Sequence, residues 1–251
     1  MFFGPKVVVA LFFLAAASSA HADDTVIRFG VDGSFPPFND VRSDGELFGY
    51  DIDLAKALCA QMQVECSFAK VDWNRIFSDL ESGEIDAVTS VSITEERRKQ
   101  ADFTAPYYSN KLQFVAAKSA QFDPAHLSGK VLGVQRGTIS ADWLEKNVKD
   151  ARLVFYGKQK ESWDDLVAGK TSGVLADSFV SWKWLTTPAG QNFEFKGKPV
   201  LTNDSIGIAV AKGRNDLVNR LNRALKEIRD NGLYNLLNDK YFSFVNDGAR
   251  K

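Results

Sequence analysis

Hydroxyl and guanidinium side chains lie close together in residues 89–108, TSVSITEERRKQADFTAPYY. Ser90, Ser92 and Thr94 fall where a predicted strand meets a predicted helix, and Arg97 follows one helical turn later. Hydroxyls and free backbone N–H groups at a helix N-terminus stabilise negative charge, and a guanidinium can bind both oxygens of a carboxylate. The segment therefore predicts a binding site for a small carboxylate.

Short apolar segments rich in β-branched residues alternate with helical patterns along the chain. The predicted strands cover residues 26–31, 66–71, 85–91, 131–135, 152–157, 172–177 and 207–211. The last helical pattern repeats every three or four residues at Leu217, Leu221, Leu225 and Ile228, and Gly232 offers a break. This alternation predicts an α/β fold with mostly parallel strands, in which ligands bind beyond the carboxyl ends of the strands.

Residues 1–22 have the layout of a cleaved secretory signal peptide. A single Lys6 precedes an apolar run over residues 7–17, and cleavage is predicted after Ala22. The run is short for a bilayer span and two aspartates follow it, although an uncleaved anchor is the alternative. We expect an untethered mature chain in the periplasm of a Gram-negative cell.

Charge and composition exclude several function classes. The chain has 251 residues and a formal net charge of −1, and loss of the signal peptide removes only one lysine. A near-neutral chain without a run of basic residues is expected to bind nucleic acid and anionic membranes poorly. The length suits one large domain or two small ones, and no low-complexity tract or fixed repeat interrupts it.

Cys59 and Cys66 are the only cysteines and lie seven positions apart. In an oxidising compartment we expect them to form a disulfide, and two buried free thiols are the alternative. His126 is the only histidine after residue 22. Two sulfurs and one imidazole make a poor zinc site, so no metal and no cofactor is predicted.

Two segments resemble crossings between two halves of the molecule, and such paired connections suit a hinge. The first is the extended run LQFVAAK, and the second precedes the final apolar strand. These crossings predict lobe 1 at residues 23–114 and 207–251, an inserted lobe 2 at 118–203, and hinges at about 114–118 and 203–207.

Six segments occur in an order that is typical of one protein family. They are GYDIDLAKALCAQMQVEC, VDWNRIFSDLESGEIDAV, SITEERR, DFTAPYY, VLGVQRGT and LAD. Together they resemble bacterial extracellular solute-binding proteins of family 3, the periplasmic receptors of polar amino-acid ABC importers. The resemblance covers essentially the whole mature chain. It implies a two-lobed Venus-flytrap fold, a monomer, an amino-acid ligand, an inner-membrane ABC permease as partner and no enzymatic activity.

The resemblance also assigns contacts in the first lobe. It implies that Arg97 anchors the ligand carboxylate, that Asp32 points at the ligand side chain, and that Phe35 and Trp73 form aromatic walls. Two aromatic faces suit an aliphatic or cationic chain. From the residues alone, Asp32 could be a turn residue, Trp73 a core residue and Arg97 a solvated charge like its neighbour Arg98.

Residues 86–92 are one residue shorter than the usual pattern of the family. The alternation of strand faces between Ile85 and Thr89 is therefore expected to shift. Ser90 and Ser92 are retained as ligand contacts by counting back from the SIT segment.

The resemblance implies further contacts from the second lobe. Thr138 would present backbone N–H groups to the carboxylate together with Gly137, and Asp177 would hold the α-ammonium group. Thr138 and Asp177 could also be helix N-caps. Gln135 and Ser140 are expected to line the same cleft.

The identity of the amino acid stays open. Asp32 between two aromatic residues favours lysine, arginine, ornithine or histidine, whereas an inward-facing Arg136 would disfavour a cationic side chain. Glutamine-type relatives carry the same aspartate, and opines are also candidates. Arg97 belongs to lobe 1 and Asp177 to lobe 2, so only a closed cleft would satisfy both ends of a zwitterion.

Other function classes use the same fold or chemistry. Cyclohexadienyl dehydratases resemble this family but have a glutamate at the position of Asp177. A receptor that presents its ligand to a membrane sensor would have an identical site. Serine and zinc hydrolases are disfavoured, because His126 has no matching nucleophile motif.

Overall fold

The computed structural model describes residues 26–248, and the predicted signal peptide lies outside them. The strands are β1 (Val26–Val31), β2 (Ser34–Phe35), β3 (Asn39–Val41), β4 (Leu47–Phe48), β5 (Glu65–Lys70), β6 (Ala87–Ser92), β7 (Ala101–Phe103), β8 (Tyr108–Ala117), β9 (Val131–Gln135), β10 (Arg152–Tyr156), β11 (Gly173–Asp177) and β12 (Phe193–Ala211). The helices are α1 (Tyr50–Met62), α2 (Ile76–Ser82), α3 (Glu95–Arg98), α4 (Ile139–Asn147), α5 (Gln159–Val167), α6 (Ser178–Leu185), α7 (Asn215–Asp230) and α8 (Leu233–Gly248).

The main sheet has the strand order β10-β9-β11-β8-β12-β6-β1-β5, with β7 paired to β12. The three strands at each end are parallel to one another, as predicted. The expectation of a mostly parallel sheet is wrong at its centre, because β8 and β12 pair antiparallel with each other and with their outer neighbours. One strand leads out of the first half and the other returns to it, so the two run in opposite directions.

A second sheet of three short strands, β2-β3-β4, was not predicted from the sequence. Its strands have only two or three residues each and contain polar residues, so they show no apolar alternation.

Separate apolar clusters fill the two halves of the molecule. In the first half, the predicted face of α7 is fully buried and packs with α1 and β1 through Leu217, Leu221, Leu225, Ile228, Leu54 and Phe29. In the second half, α4 packs on β8, β9 and β11 through Leu144, Leu112, Phe114, Leu132 and Leu175. Burying one such side chain contributes about 1.5–3 kcal/mol, so each half has its own stabilising core.

The central strands β8 and β12 connect these halves. Asn110 pairs with Asp204 and Leu112 with Leu201, and the register is interrupted between the two pairs. Leu112 already packs in the core of the second half, whereas Ile206 packs in that of the first. The lobe boundaries and the hinges at 114–118 and 203–207 stay predictions.

The predicted disulfide between Cys59 and Cys66 is present. It joins the last turn of α1 to β5, with the two Cα atoms 6.0 Å apart. Within the described part of the chain, no helix combines the length and apolar character that a membrane crossing requires.

Candidate ligand-binding site

A cavity lies between the two halves of the molecule. All ten residues predicted to contact the ligand line it: Asp32, Phe35, Trp73, Ser90, Ser92, Arg97, Gln135, Thr138, Ser140 and Asp177. The carboxyl ends of β1, β6, β9 and β11 supply most of them, which is where the strand pattern predicts a ligand. The structure brings the predicted set together in one place.

Arg97 lies in the single turn of α3 and is 6 % exposed. Thr94 caps this turn by accepting a hydrogen bond from the Arg97 backbone N–H at 3.2 Å. The guanidinium donates through Nη1 to the carbonyl of Ser92 at 3.1 Å and through Nη2 to the carbonyl of Gly137 at 2.9 Å. It forms no ion pair with any described residue, and burial lowers its pKa. A buried cation without an ion-pair partner favours the binding of an anion.

The Gly137 carbonyl oxygen bridges the cavity. It accepts hydrogen bonds from Arg97 and from the indole Nε1 of Trp73, the latter at 3.1 Å. Thr138 caps α4 by accepting from the Ala141 N–H at 3.3 Å, so the N-cap reading of its side chain is confirmed. The two halves therefore touch through protein groups alone.

Each of the two predicted serines donates a hydrogen bond from its hydroxyl group to a buried carboxylate. Neither carboxylate was predicted from the sequence. Ser90 Oγ donates to Asp51 Oδ2 at 2.8 Å, and Ser92 Oγ donates to Asp204 Oδ2 at 2.9 Å. A hydroxyl has one proton. While both carboxylates are ionised, the serines therefore present lone pairs to the cavity.

Asp51 is fully buried in the first turn of α1. It also accepts hydrogen bonds from Asn39 Nδ2 at 2.8 Å and from the Tyr107 hydroxyl at 3.1 Å. Burial raises the pKa of Asp51, whereas the hydrogen bonds from Asn39, Ser90 and Tyr107 lower it. Gly49 precedes the helix with φ 130°, and a Cβ there would lie 2.3 Å from the Phe38 carbonyl oxygen. Only glycine fits at position 49, where the backbone approaches Phe38 so closely. This approach places Asp51 within hydrogen-bond distance of Ser90.

Strand β6 has an irregularity just beyond Ile85–Thr89, where a shift of strand faces is expected. Gly207 of β12 pairs with Val91, but Ala209 pairs with Val88, so β6 has one extra residue between them. Ser90 adopts φ 58° within this bulge, and its N–H donates to the Tyr107 hydroxyl at 2.7 Å. The bulge leaves Ser90 at the cavity wall, whereas Thr89 is buried and does not line the cavity.

Asp32 lies at the cavity wall with 5 % of its surface exposed. It accepts hydrogen bonds from Ser34 Oγ at 2.8 Å and Gln135 Nε2 at 3.4 Å, and it forms no ion pair within residues 26–248. Burial raises its pKa. Arg136 is exposed and stacks on Phe155, with 5.1 Å from its guanidinium carbon to the ring centre. Arg136 therefore does not oppose a cationic ligand.

Asp177 is the N-cap of α6, which is one of the two roles considered for it. Its Oδ1 accepts the N–H groups of Phe179 at 2.7 Å and Val180 at 3.0 Å and so caps α6. The other carboxylate oxygen has no hydrogen-bond partner among the described residues. Burial, with smaller contributions from the negative charges of Asp204 and Asp51, raises the pKa of Asp177 to about 7.

An aromatic cluster supports this end of the cavity. Phe179 follows Asp177 by two residues and packs against Phe38, Tyr108 and Phe242, with ring centres 6.1, 6.3 and 5.1 Å away. The cluster joins α6 to the first half of the molecule and to α8. The position of Asp177 thus depends on packing from three elements.

Seven further residues line the cavity without having been predicted: Asn39, Tyr108, Asn110, Leu112, Ile139, Gln159 and Ile206. Gln159 opens α5 after β10, so the rule about strand ends could have found it. The rule could not find Asn110 or Ile206, because their position follows from the antiparallel pairing of β8 and β12.

A family model for bacterial extracellular solute-binding proteins, family 3, matches residues 27–244. This chain belongs to family 3. Among curated members, the L-arginine-binding protein of Pseudomonas aeruginosa is 38 % identical over 234 residues, covering 89 % of this chain and 90 % of the relative.

Solved structures of amino-acid-binding proteins agree with this assignment. An ancestral arginine-binding protein bound to arginine superposes with a TM-score of 0.83 at 32 % identity, covering 87 % of this chain and 98 % of that one. AncCDT-1, an ancestral amino-acid-binding protein and a precursor of cyclohexadienyl dehydratase, gives 0.80 at 28 % identity over 87 % and 96 % of the two chains. Both share the two-lobed fold with this family 3 chain.

Proposed function

We propose that this protein binds a basic L-amino acid, arginine foremost, and delivers it to an ABC importer by closing its cleft. The observation that supports this proposal most directly is the environment of Asp32. It is a buried carboxylate at the cavity wall, and it forms no ion pair within the described residues. A buried carboxylate of this kind favours a cationic partner.

The formal charges of the cavity wall support a cationic ligand. Asp32 and Asp177 are carboxylates and Arg97 is a cation, so the three sum to −1 when ionised. A basic amino acid carries a net charge of +1 and would neutralise this set, whereas glutamine would leave Asp32 without a cation. The similarity to arginine-binding proteins supports the same class of ligand.

Each end of the ligand has matching groups. Arg97 would bind the α-carboxylate together with Thr138 and Ser140, while Ser90 and Ser92 would accept hydrogen bonds from the α-ammonium group with the lone pairs that they present to the cavity. Asp177 would take the α-ammonium group on the carboxylate oxygen that is not used for capping. Asp32 and Gln135 would accept hydrogen bonds from the ligand side chain between the rings of Phe35 and Trp73.

The free acceptors at the cavity wall favour a guanidinium over an ammonium group. The Ser162 hydroxyl donates to the Gln159 carbonyl at 2.7 Å, so it must accept from the Gln159 side-chain amide at 2.6 Å. This leaves the amide oxygen of Gln159 as an acceptor at the cavity wall. A planar guanidinium has five N–H donors to share among such groups.

Closure would bring together the two lobes, and we adjust the predicted position of both hinges. Leu112 and Phe114 pack in the core of the second half, so we place the first crossing at residues 109–111, earlier than 114–118. The return crossing would lie at 202–205, where the strand register is interrupted. The inner-membrane permease and export by the signal peptide at residues 1–22 belong to the same proposal.

The test is a thermal-shift series on mature protein that has been unfolded and refolded to remove carried ligand. Arginine, lysine, ornithine, histidine, glutamine, citrulline and opines would be compared. A ligand at about a thousandfold over its Kd adds roughly 4 kcal/mol, which corresponds to about 8–16 °C for a chain of this length. A shift larger for arginine than for glutamine is expected. No shift with any amino acid would refute the proposal.

A dehydratase is the second candidate, because burial raises the pKa of Asp177 to about 7 and a proton on this carboxyl could be donated. AncCDT-1 has the same fold. Incubation with prephenate and arogenate decides between the two, and we expect no turnover. Turnover that Asp177→Asn abolishes would replace the receptor proposal.

A further inference from the structure

Asn39 is a buried amide between the two ends of the cavity wall in the first half of the molecule. It lines the cavity, is 3 % exposed, and begins β3. Its Oδ1 accepts a hydrogen bond from the Gly33 N–H at 2.8 Å, and its Nδ2 donates to Asp51 Oδ2 at 2.8 Å. A backbone N–H can only donate and an ionised carboxylate can only accept, so these two partners fix the orientation of the amide.

The contact with Gly33 reaches the end of the wall that would face the ligand side chain. Asp32, the carboxylate at this end, directly precedes Gly33. Strand β1 ends at Val31 and β2 begins at Ser34, so no strand pairing covers Gly33, which has φ 69°. The Asn39 side chain therefore holds the turn that directs the Asp32 carboxylate.

The contact with Asp51 reaches the end of the wall that would face the α-ammonium group. The Asp51 carboxylate also accepts hydrogen bonds from the Ser90 hydroxyl at 2.8 Å and the Tyr107 hydroxyl at 3.1 Å. The Tyr107 oxygen in turn accepts the Ser90 N–H at 2.7 Å. Ser90 is thus held by the same carboxylate that Asn39 contacts.

We propose that Asn39 is a positioning residue that sets the distance between Ser90 and the Asp32 carboxylate. It would thereby select basic amino acids by the length of their side chain. The inference rests on the proposed function and deepens it, because it requires a ligand with both an α-ammonium group and a cationic side chain.

The backbone beside Asn39 is held independently of its side chain. The Asp51 N–H donates to the carbonyl oxygen of Phe38, the preceding residue, at 2.8 Å. The Asn39 backbone is therefore fixed against α1 while its side chain extends to Gly33. Removing the amide should release the turn that carries Asp32 and leave the rest of the loop in place.

A fixed distance between two contacts can be detected by changing the length of the ligand. In a pocket of fixed shape, one methylene more or fewer changes binding by about 10–200-fold. A pocket in which Asp32 can move would accept several lengths with similar affinity. A role of Asn39 in folding alone would instead weaken the binding of all lengths by the same factor.

The test measures the Kd of arginine, homoarginine and norarginine by calorimetry, with refolded wild-type protein and with Asn39→Leu. Homoarginine has one methylene more than arginine and norarginine one fewer, and all three have the same charged groups. We expect wild type to bind arginine at least about tenfold more tightly than either homologue, and Asn39→Leu to reduce this preference to about threefold or less. Leucine resembles asparagine in size and branching but forms neither hydrogen bond.

Asn222→Leu is the matched control. Asn222 Oδ1 accepts the Ala105 N–H at 2.8 Å, and Asn222 does not line the cavity. This variant also loses a hydrogen bond to a backbone N–H, but it should keep the preference for arginine. Should Asn39→Leu fail to fold, Asn39→Ser replaces it, because serine is too short to reach both Gly33 and Asp51. No preference for arginine in wild type, or an equal preference in wild type and the Asn39 variant, would overturn the inference.

The two proposals fail separately. Absence of binding by arginine and every other amino acid to wild-type protein would refute the proposed function. Arginine binding without a length preference that depends on Asn39 would refute only the role of Asn39.

Discussion

The guanidinium of Arg97 donates a hydrogen bond to the carbonyl oxygen of Gly137 across the cavity, at 2.9 Å. Arg97 belongs to the half that contains β6, and Gly137 follows β9 in the other half. The side chain that we propose as the carboxylate anchor thus also holds the two halves together. Substitutions around this contact should separate the two tasks.

Arg97→Ala should weaken arginine binding by about 2–5 kcal/mol, because the ligand carboxylate loses its only buried countercharge at this wall. Arg98→Ala is the control, since Arg98 is exposed and its guanidinium carbon lies 5.8 Å from the Phe103 ring centre. Calorimetry measures both. Wild-type affinity in Arg97→Ala would contradict the assignment of the anchor.

Trp73→Phe keeps an aromatic wall but removes the indole donor to Gly137. We expect affinity to fall about twofold to tenfold, equivalent to one neutral hydrogen bond of about 0.5–1.5 kcal/mol, with little change in selectivity. Small-angle scattering should also show a more open molecule without ligand. Trp143→Phe serves as control, since Trp143 lies on α4 outside the cavity. An equal effect of both variants would argue against a bond between the halves.

Asp32→Asn should reduce the preference for basic ligands. Loss of charge-assisted hydrogen bonds of about 1.5–3 kcal/mol would weaken arginine binding about tenfold to a hundredfold, while glutamine binding would change little. Competition between the two amino acids measures the ratio. The exposed Asp44 provides the matched variant Asp44→Asn, which should preserve selectivity.

Asp177 should make the unliganded fold less stable as the pH rises. Its pKa is about 7 in the folded state and about 3.9 in an unfolded chain. Between these values the folded state binds more protons, so the free energy of unfolding decreases from pH 4 to pH 7. Asp177→Asn retains an N-cap and should flatten this part of the profile. Urea unfolding across this range tests it, and an unchanged slope in the variant would rule out Asp177 as the cause.

Replacing both Cys59 and Cys66 by serine should lower the free energy of unfolding by about 2–3 kcal/mol, because the bond closes a short loop in the unfolded chain. Arginine affinity should stay unchanged, since neither cysteine lines the cavity. Denaturant unfolding measures the first quantity and calorimetry the second. A large loss of affinity would show that α1 transmits strain to Asp51.

Local patterns were sufficient to predict the parts of the fold that depend on them. The apolar repeat of α7 and the β-branched runs of β1 and β9 specify their own burial, so their positions agree with the sequence. The antiparallel centre of the sheet could not be read in this way, because the first half of β12 has mixed polarity. Its strand character comes from pairing with β8, far away in the chain.

The site also combines residues that local sequence patterns predict with residues that depend on distant parts of the chain. Residue types and their order predicted Arg97 and Asp177, because each lies at the end of a predicted strand or the start of a helix. Asp51 and Asp204 escaped, since each belongs to the site only through a hydrogen bond from a serine that is distant in sequence. A bulge at Ser90 sets one of these contacts, and a bulge depends on the partner strand.

The aromatic cluster around Phe179 connects the last helix to the helix that begins at the cavity wall. Phe242 of α8 packs on Phe179, two residues beyond Asp177, so filling the cavity and moving α6 would alter the surroundings of α8. Leu236 on this helix is 67 % exposed, and both native cysteines are held in the disulfide. Leu236→Cys would therefore offer a single attachment point for a dye, and the protein is a ready scaffold for an optical amino-acid sensor.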